Sequence, residues 1–297
     1  MANPQLLYVP PAPDDPASAP AEFMHNLARE LAAGEIHLPS IPEVAERVQR
    51  TLDDERASPA VVAQVIATDA ALAARVLRLA NSAAFRSGGK EVTDLPTAVN
   101  RLGHQMVRCA AVAFALRQMK LSGEQRELQP QLQELWRKGT LVASLAYVLA
   151  RETKAVNPDE ALVTGLLHNL GRLYILVRVH GRAPDLARSA AWDLVLHDWH
   201  PRIARAILAH WRFPESIVNA IGEQNAWDRE GNGGERLTDV LVAATSLVPC
   251  AFYRELVDDT VTSVAPFRRL GLDAEGCRRL LAGTAQQVKG LRDALLG

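Results

Sequence analysis

The stretch Gly165-Leu166-Leu167-His168-Asn169-Leu170-Gly171-Arg172-Leu173 sets two polar side chains inside a strongly apolar run. Burying a polar group without a partner costs roughly 1–3 kcal/mol. His168 and Asn169 therefore need partners: a backbone carbonyl, each other, or something bound. The run falls in a helix that Pro158 starts and that carries Leu162, Val163, Leu166, Leu167, Leu170, Leu173 and Ile175. A core histidine bonded to a carbonyl accounts for this segment as well as a ligand-holding one does. The surrounding sequence has to decide.

Outward from there, the pattern is helical on both sides. Leu132 to Arg151 reads as a long amphipathic helix, and Ala183 to Leu196, Pro201 to Ala209 and Pro214 to Gln224 as three more. Leu237 to Leu256 is apolar enough for a buried helix, and residues 266–296 supply one or two at the end. Toward the N-terminus, Ser58-Pro59 combines a capping hydroxyl with proline at the first helical position, and Asp69 caps the next helix. Pro96 opens a helix that ends near Leu102-Gly103, and another runs from Met106 to Met119. Phe23, Leu27 and Leu31 share a face of a short helix that starts at Glu22 and stops at Gly34. Leu38-Pro-Ser-Ile-Pro42 is extended, and Gly88-Gly89 marks a loop. No alternating strand pattern or fixed repeat is present. The fold class is all-α.

Composition sets the outer bounds. The chain has 297 residues, 48% of them apolar and 5% aromatic, with a formal net charge of −1. That supports a full core and speaks against a non-specific nucleic-acid binder. Cys109, Cys250 and Cys277 are far apart and lack metal-ligand spacing, as in a reduced chain without a disulfide framework. No apolar run is long enough to span a bilayer, and no secretion signal is visible. The expected location is the cytoplasm.

An ordered series of motifs surrounds the His-Asn segment. Leu38-Pro-Ser-Ile-Pro42, Ile66-Ala-Thr-Asp69, Leu77-Arg-Leu-Ala-Asn81-Ser82 and Ala98-Val-Asn-Arg-Leu102-Gly103 precede it. Leu135-Trp136-Arg137-Lys138-Gly139-Thr140 follows those, and His200-Pro201 and Trp211-Arg-Phe-Pro214 come after it. In order and spacing, the stretch from Leu38 to Ala251 resembles the HDOD family, an output domain related to HD and HD-GYP phosphohydrolases. Six prolines make residues 1–20 a flexible leader, and the resemblance implies an HDOD-like helical domain over 21–251. It divides that domain into an N-terminal subdomain to about 120 and an HD-like bundle over 121–251, with a helical extension over 252–297.

In the catalytic relatives, histidines and carboxylates hold metal ions that acidify water for attack on phosphorus. By resemblance, the first histidine falls here at Lys138 and the His-Asp pair at His168 and Asn169. A later histidine falls at His200, and a downstream His-His pair near Gln224 and Asn225. The late aspartate should lie within 240–245, where only Asp239, at the edge, is acidic. His168 and His200 should approach one another, yet two histidines fall short of the three or more protein ligands of a stable centre. An ammonium at Lys138 would repel a cation.

The resemblance thus implies a non-catalytic signal-transduction module that acts through protein contacts, with vestigial positions Lys138, His168, Asn169, His200, Gln224 and Asn225. It needs no metal and no cofactor. A divergent metal-dependent phosphohydrolase or a nucleotide-binding sensor is the alternative. His197, Asp198 and His200 look like a metal cluster in print, but a helix beginning at Pro201 leaves His197 outside it. Ser58 to Asn81 resembles a helix-turn-helix, with Arg75, Arg78 and Arg86 as phosphate contacts. Its apolar content favours an ordinary helical hairpin. The loop at Gly231, Gly233 and Gly234 lacks the flanks of a phosphate loop.

Overall fold

The computed structural model describes residues 18–33, 43–54, 56–82, 85, 90–118, 128–182, 192–211, 213–225, 236–251 and 256–296. The 38–42 connector, the helix end at Gly34, the Gly88-Gly89 loop, Arg86, the 183–191 stretch and the loop around Gly231 lie outside the described residues, as does most of the leader.

The described chain is helical, with no strand among the described residues. In order, the helices are α1 Ser18–Ala32, α2 Glu43–Leu52, α3 Pro59–Ile66, α4 Ala70–Ala80, α5 Leu95–Gln118, α6 Gln129–Thr153 and α7 Pro158–Leu167. There follow α8 Leu170–Arg182, α9 Trp192–His210, α10 Glu215–Gly222, α11 Arg236–Ser246, α12 Asp259–Thr262, α13 Ala265–Arg269 and α14 Ala274–Leu296. The starts follow local chemistry. The Ser58 hydroxyl accepts from the Val61 N–H at 3.4 Å ahead of Pro59. The Asp69 carboxylate takes the Ala71 and Leu72 N–H groups, each at 2.9 Å. Asn157 accepts from the Asp159 N–H at 2.8 Å and so caps α7 ahead of Pro158. These side chains satisfy donors that a helix start otherwise leaves unpaired. Gly103, at φ +72°, bends α5 where the sequence suggests one helix ending and another beginning.

α6 is the axis of the molecule. Residues 139–150 of α6 are buried without interruption, so this half is enclosed on all sides rather than amphipathic as the sequence suggests. α7, α11 and α14 pack on it. The α6–α7 crossing is tight because Gly165 has no side chain: a Cβ there would lie 2.6 Å from Ala143 Cα. α2, α3 and α4 pack on α5, α5 packs on α7, and α14 reaches α4 as well as α6.

Four expectations change in detail. The single helix through Ile175 is two, broken at His168 and Asn169. The two expected around Pro201 are one, α9, with Pro201 inside it. The helix expected over Leu237 to Leu256 stops at Ser246, and α1 begins at Ser18, inside the expected leader.

Candidate functional site

The site forms where α7 ends, α8 begins and both meet α9. A Cβ at Gly171 would stand 1.9 Å from the His200 carbonyl oxygen, so only glycine lets α8 come this close to α9. His168 and His200 are both buried there, with exposures of 4% and 2%, and His168 bears electrostatically on His200. His168 Nδ1 lies 2.6 Å from the Gly165 carbonyl. A carbonyl only accepts, so Nδ1 carries the proton and Nε2 keeps its lone pair. Burial pushes the His168 pKa down to about 4, so the ring is neutral near pH 7. His200 is pushed down further, by burial first and then by the Arg172 charge and the neighbouring His168 and His197. Its Nδ1 has no hydrogen-bond partner among the described residues.

Of the partners open to them, His168 and Asn169 do not take each other. His168 bonds to Gly165 instead. Asn169 is half-buried and acts through its backbone, its carbonyl accepting from the Leu173 N–H at 3.1 Å in the first turn of α8.

Gln224 and Asn225 both serve the backbone. The chain break after α7 frees the His168 carbonyl, and Gln224 Nε2 donates to it at 3.1 Å and to the Ile221 carbonyl at 2.9 Å. Inside α9, Pro201 has no N–H to give to the carbonyl four residues earlier, that of His197. Asn225 Nδ2 donates to that carbonyl at 2.7 Å. This explains how α9 runs through a proline that the sequence suggests is a start. His197 therefore lies on the same helix as His200, their ring centroids 6.4 Å apart.

The remaining positions are engaged elsewhere. Lys138 is 58% exposed and pairs with Glu134 on its own helix at 3.7 Å. The cation that acts on the buried histidines is Arg172, whose charge lowers both of their pKa values. Its own pKa is lowered by burial, against the pull of Asp193. Arg172 lies in the opening stretch, one turn after His168; that spacing was the available signal. Asp239, 5% exposed, is held by Arg269 through two hydrogen bonds, from Nε at 2.8 Å and Nη2 at 2.6 Å. Arg269 comes from α13, thirty residues away, and no sequence pattern links the two.

The donor set does not fit a catalytic metal ion. An amide stands in place of the paired carboxylate, two further amides donate to carbonyls, and the buried aspartate already holds a guanidinium. Among the described residues no group of three or more His, Cys, Asp or Glu is arranged to hold a metal ion. The phosphate contact proposed at Arg75 is also committed: this buried guanidinium donates to the Leu295 carbonyl and lies 5.5 Å from the Trp136 ring centroid. No described helix is long and apolar enough to cross a membrane.

Fold and site together define an HD-like helical protein with two buried histidines where α7, α8 and α9 meet. The chain belongs to the HDOD domain family, whose model matches residues 38–227. In fold it is similar to a Shewanella amazonensis SB2B protein provisionally named a metal-dependent phosphohydrolase, with TM-score 0.70 and 23% identity over 94% of this chain and 99% of that one. It is also similar to a protein from Marinobacter aquaeolei VT8 provisionally named a signal transduction protein, with TM-score 0.59 and 20% identity over 95% of this chain and 66% of that one. An uncharacterised protein of Treponema pallidum (strain Nichols) is 26% identical over a 211-position alignment that covers 66% of this chain and 39% of that relative.

Proposed function

We propose that this chain is a non-catalytic signal-output module that works through contacts with other proteins. The observation that carries this reading is the conversion of Gln224 and Asn225 into donors that hold the His168 and His197 carbonyls. A histidine pair at these positions would offer lone pairs to a cation; the amides offer N–H groups to the chain itself. Arg172 beside the imidazoles and Arg269 on Asp239 add positive charge where a divalent ion would need the reverse. The signalling part of the reading draws on the similar Marinobacter protein, provisionally named a signal transduction protein.

The competing reading is a phosphohydrolase, the provisional name of the similar Shewanella protein. Assay of the purified chain against phosphomonoesters, phosphodiesters and cyclic dinucleotides, with Mn²⁺ or Mg²⁺ added, separates the two. The expected outcome is no turnover above buffer, in the native chain and in Asn169→Asp alike. Metal-dependent turnover that His168→Ala abolishes would support the phosphohydrolase instead.

A further inference from the structure

A cavity of about 390 Å³ lies between α6 and α14, away from the His168–His200 site. Its α14 wall is a single stripe: Leu281, Ala285, Val288 and Arg292 recur at spacings of four, three and four, which keeps them on one helical face. Leu141 and Leu145, one turn apart on α6, form the opposite wall. Ala285 and Ala251, both small, are among its lining residues. Lys289 follows Ala285 by one turn and sets an exposed ammonium at the rim beside Arg292. Arg292 is partly engaged with Asp293 at 3.4 Å, while no ion pair to Lys289 forms among the described residues.

An apolar floor with a cationic rim matches a molecule with a hydrocarbon body and an anionic head. The volume falls in the roughly 300–1,000 Å³ range of small-molecule sites.

We propose that this cavity binds a free single-chain carboxylate. The tail lies against Leu141, Leu145, Leu281 and Val288, and the head meets the Lys289 ammonium with Arg292 beside it. The site is independent of the function proposed above, and neither reading depends on the other.

Isothermal titration of dodecanoate, below its micelle concentration, into the full chain tests this. The expected result is saturable binding of one molecule per chain, with no binding of dodecyltrimethylammonium. Lys289→Glu should weaken it roughly tenfold with an unchanged thermal melt, since Lys289 is exposed. Ala285→Trp, which fills the hollow, should abolish it. Absence of saturable binding to the native chain overturns the proposal, as does equal affinity in Lys289→Glu. Sedimentation that shows the groove closed within a dimer, which Ala285→Trp dissociates, overturns it in favour of a second copy of the chain.

Discussion

His168 is a buried imidazole with its pKa down near 4, and His200 is lower still. The ordinary value is 6.5, so between the two values the unfolded chain holds protons that the folded chain does not. The stability tied to this difference is fully present above pH 6.5 and declines as pH falls toward about 4. For His168 it is on the order of 3 kcal/mol. Arg172 bears on both rings and His197 on His200, while Asp193 acts on Arg172. Urea denaturation at pH 7 and pH 4.5 should show this loss in the native chain and a smaller one in His168→Gln; equal losses would contradict it. The Asp239–Arg269 pair makes a second claim at this scale. Arg269→Met strands a buried carboxylate and should cost about 3 kcal/mol. Asp239→Asn leaves a guanidinium that still reaches water and should cost less. Denaturant midpoints for the two variants give the order.

Between elements, the account turns on close approach and freed carbonyls. Gly165→Ala drives a Cβ to 2.6 Å from the Ala143 backbone, where no side chain can yield. α6 and α7 must part, at about 3 kcal/mol, and a thermal melt that matches the native chain would refute the crossing. Asn225→Ala leaves the His197 carbonyl without a donor inside α9 and should cost roughly 1–2 kcal/mol. In a chain that already carries Pro201→Ala the same change should cost much less, because the residue-201 N–H then bonds that carbonyl; additive costs in the double-mutant cycle would contradict this. The sequence displays caps and apolar periods openly, which is why Ser58, Asp69 and Pro158 place their helices correctly. It hides the break at His168 and Asn169, since apolar residues continue across it at helical spacing. It also hides the passage of α9 through Pro201, because the compensating amide comes from Asn225, on a segment 28 residues away. Of the site, the sequence singled out His168 and His200, and both are buried. The work of Arg172 and Arg269 was not legible, because a charge in a sequence does not say which carboxylate or ring it will face.

Across the whole molecule, α14 closes the structure against both α4 and α6, and the Arg75 guanidinium fastens its end at the Leu295 carbonyl. A helix with contacts this far apart in sequence is part of the core rather than an appendage. Chain stopped after residue 273 should expose Leu141 and Arg75 and lose cooperative unfolding; a single sharp melt at the native temperature would contradict that. The central proposal is that His168 and His200 serve packing and not a metal ion. Elemental analysis of the purified full chain, after equilibration with Mn²⁺ and removal of free ion, tests it most directly. The account predicts far less than one metal ion per chain, in the native protein and in His168→Ala alike. One ion per native chain, lost in His168→Ala, would contradict it.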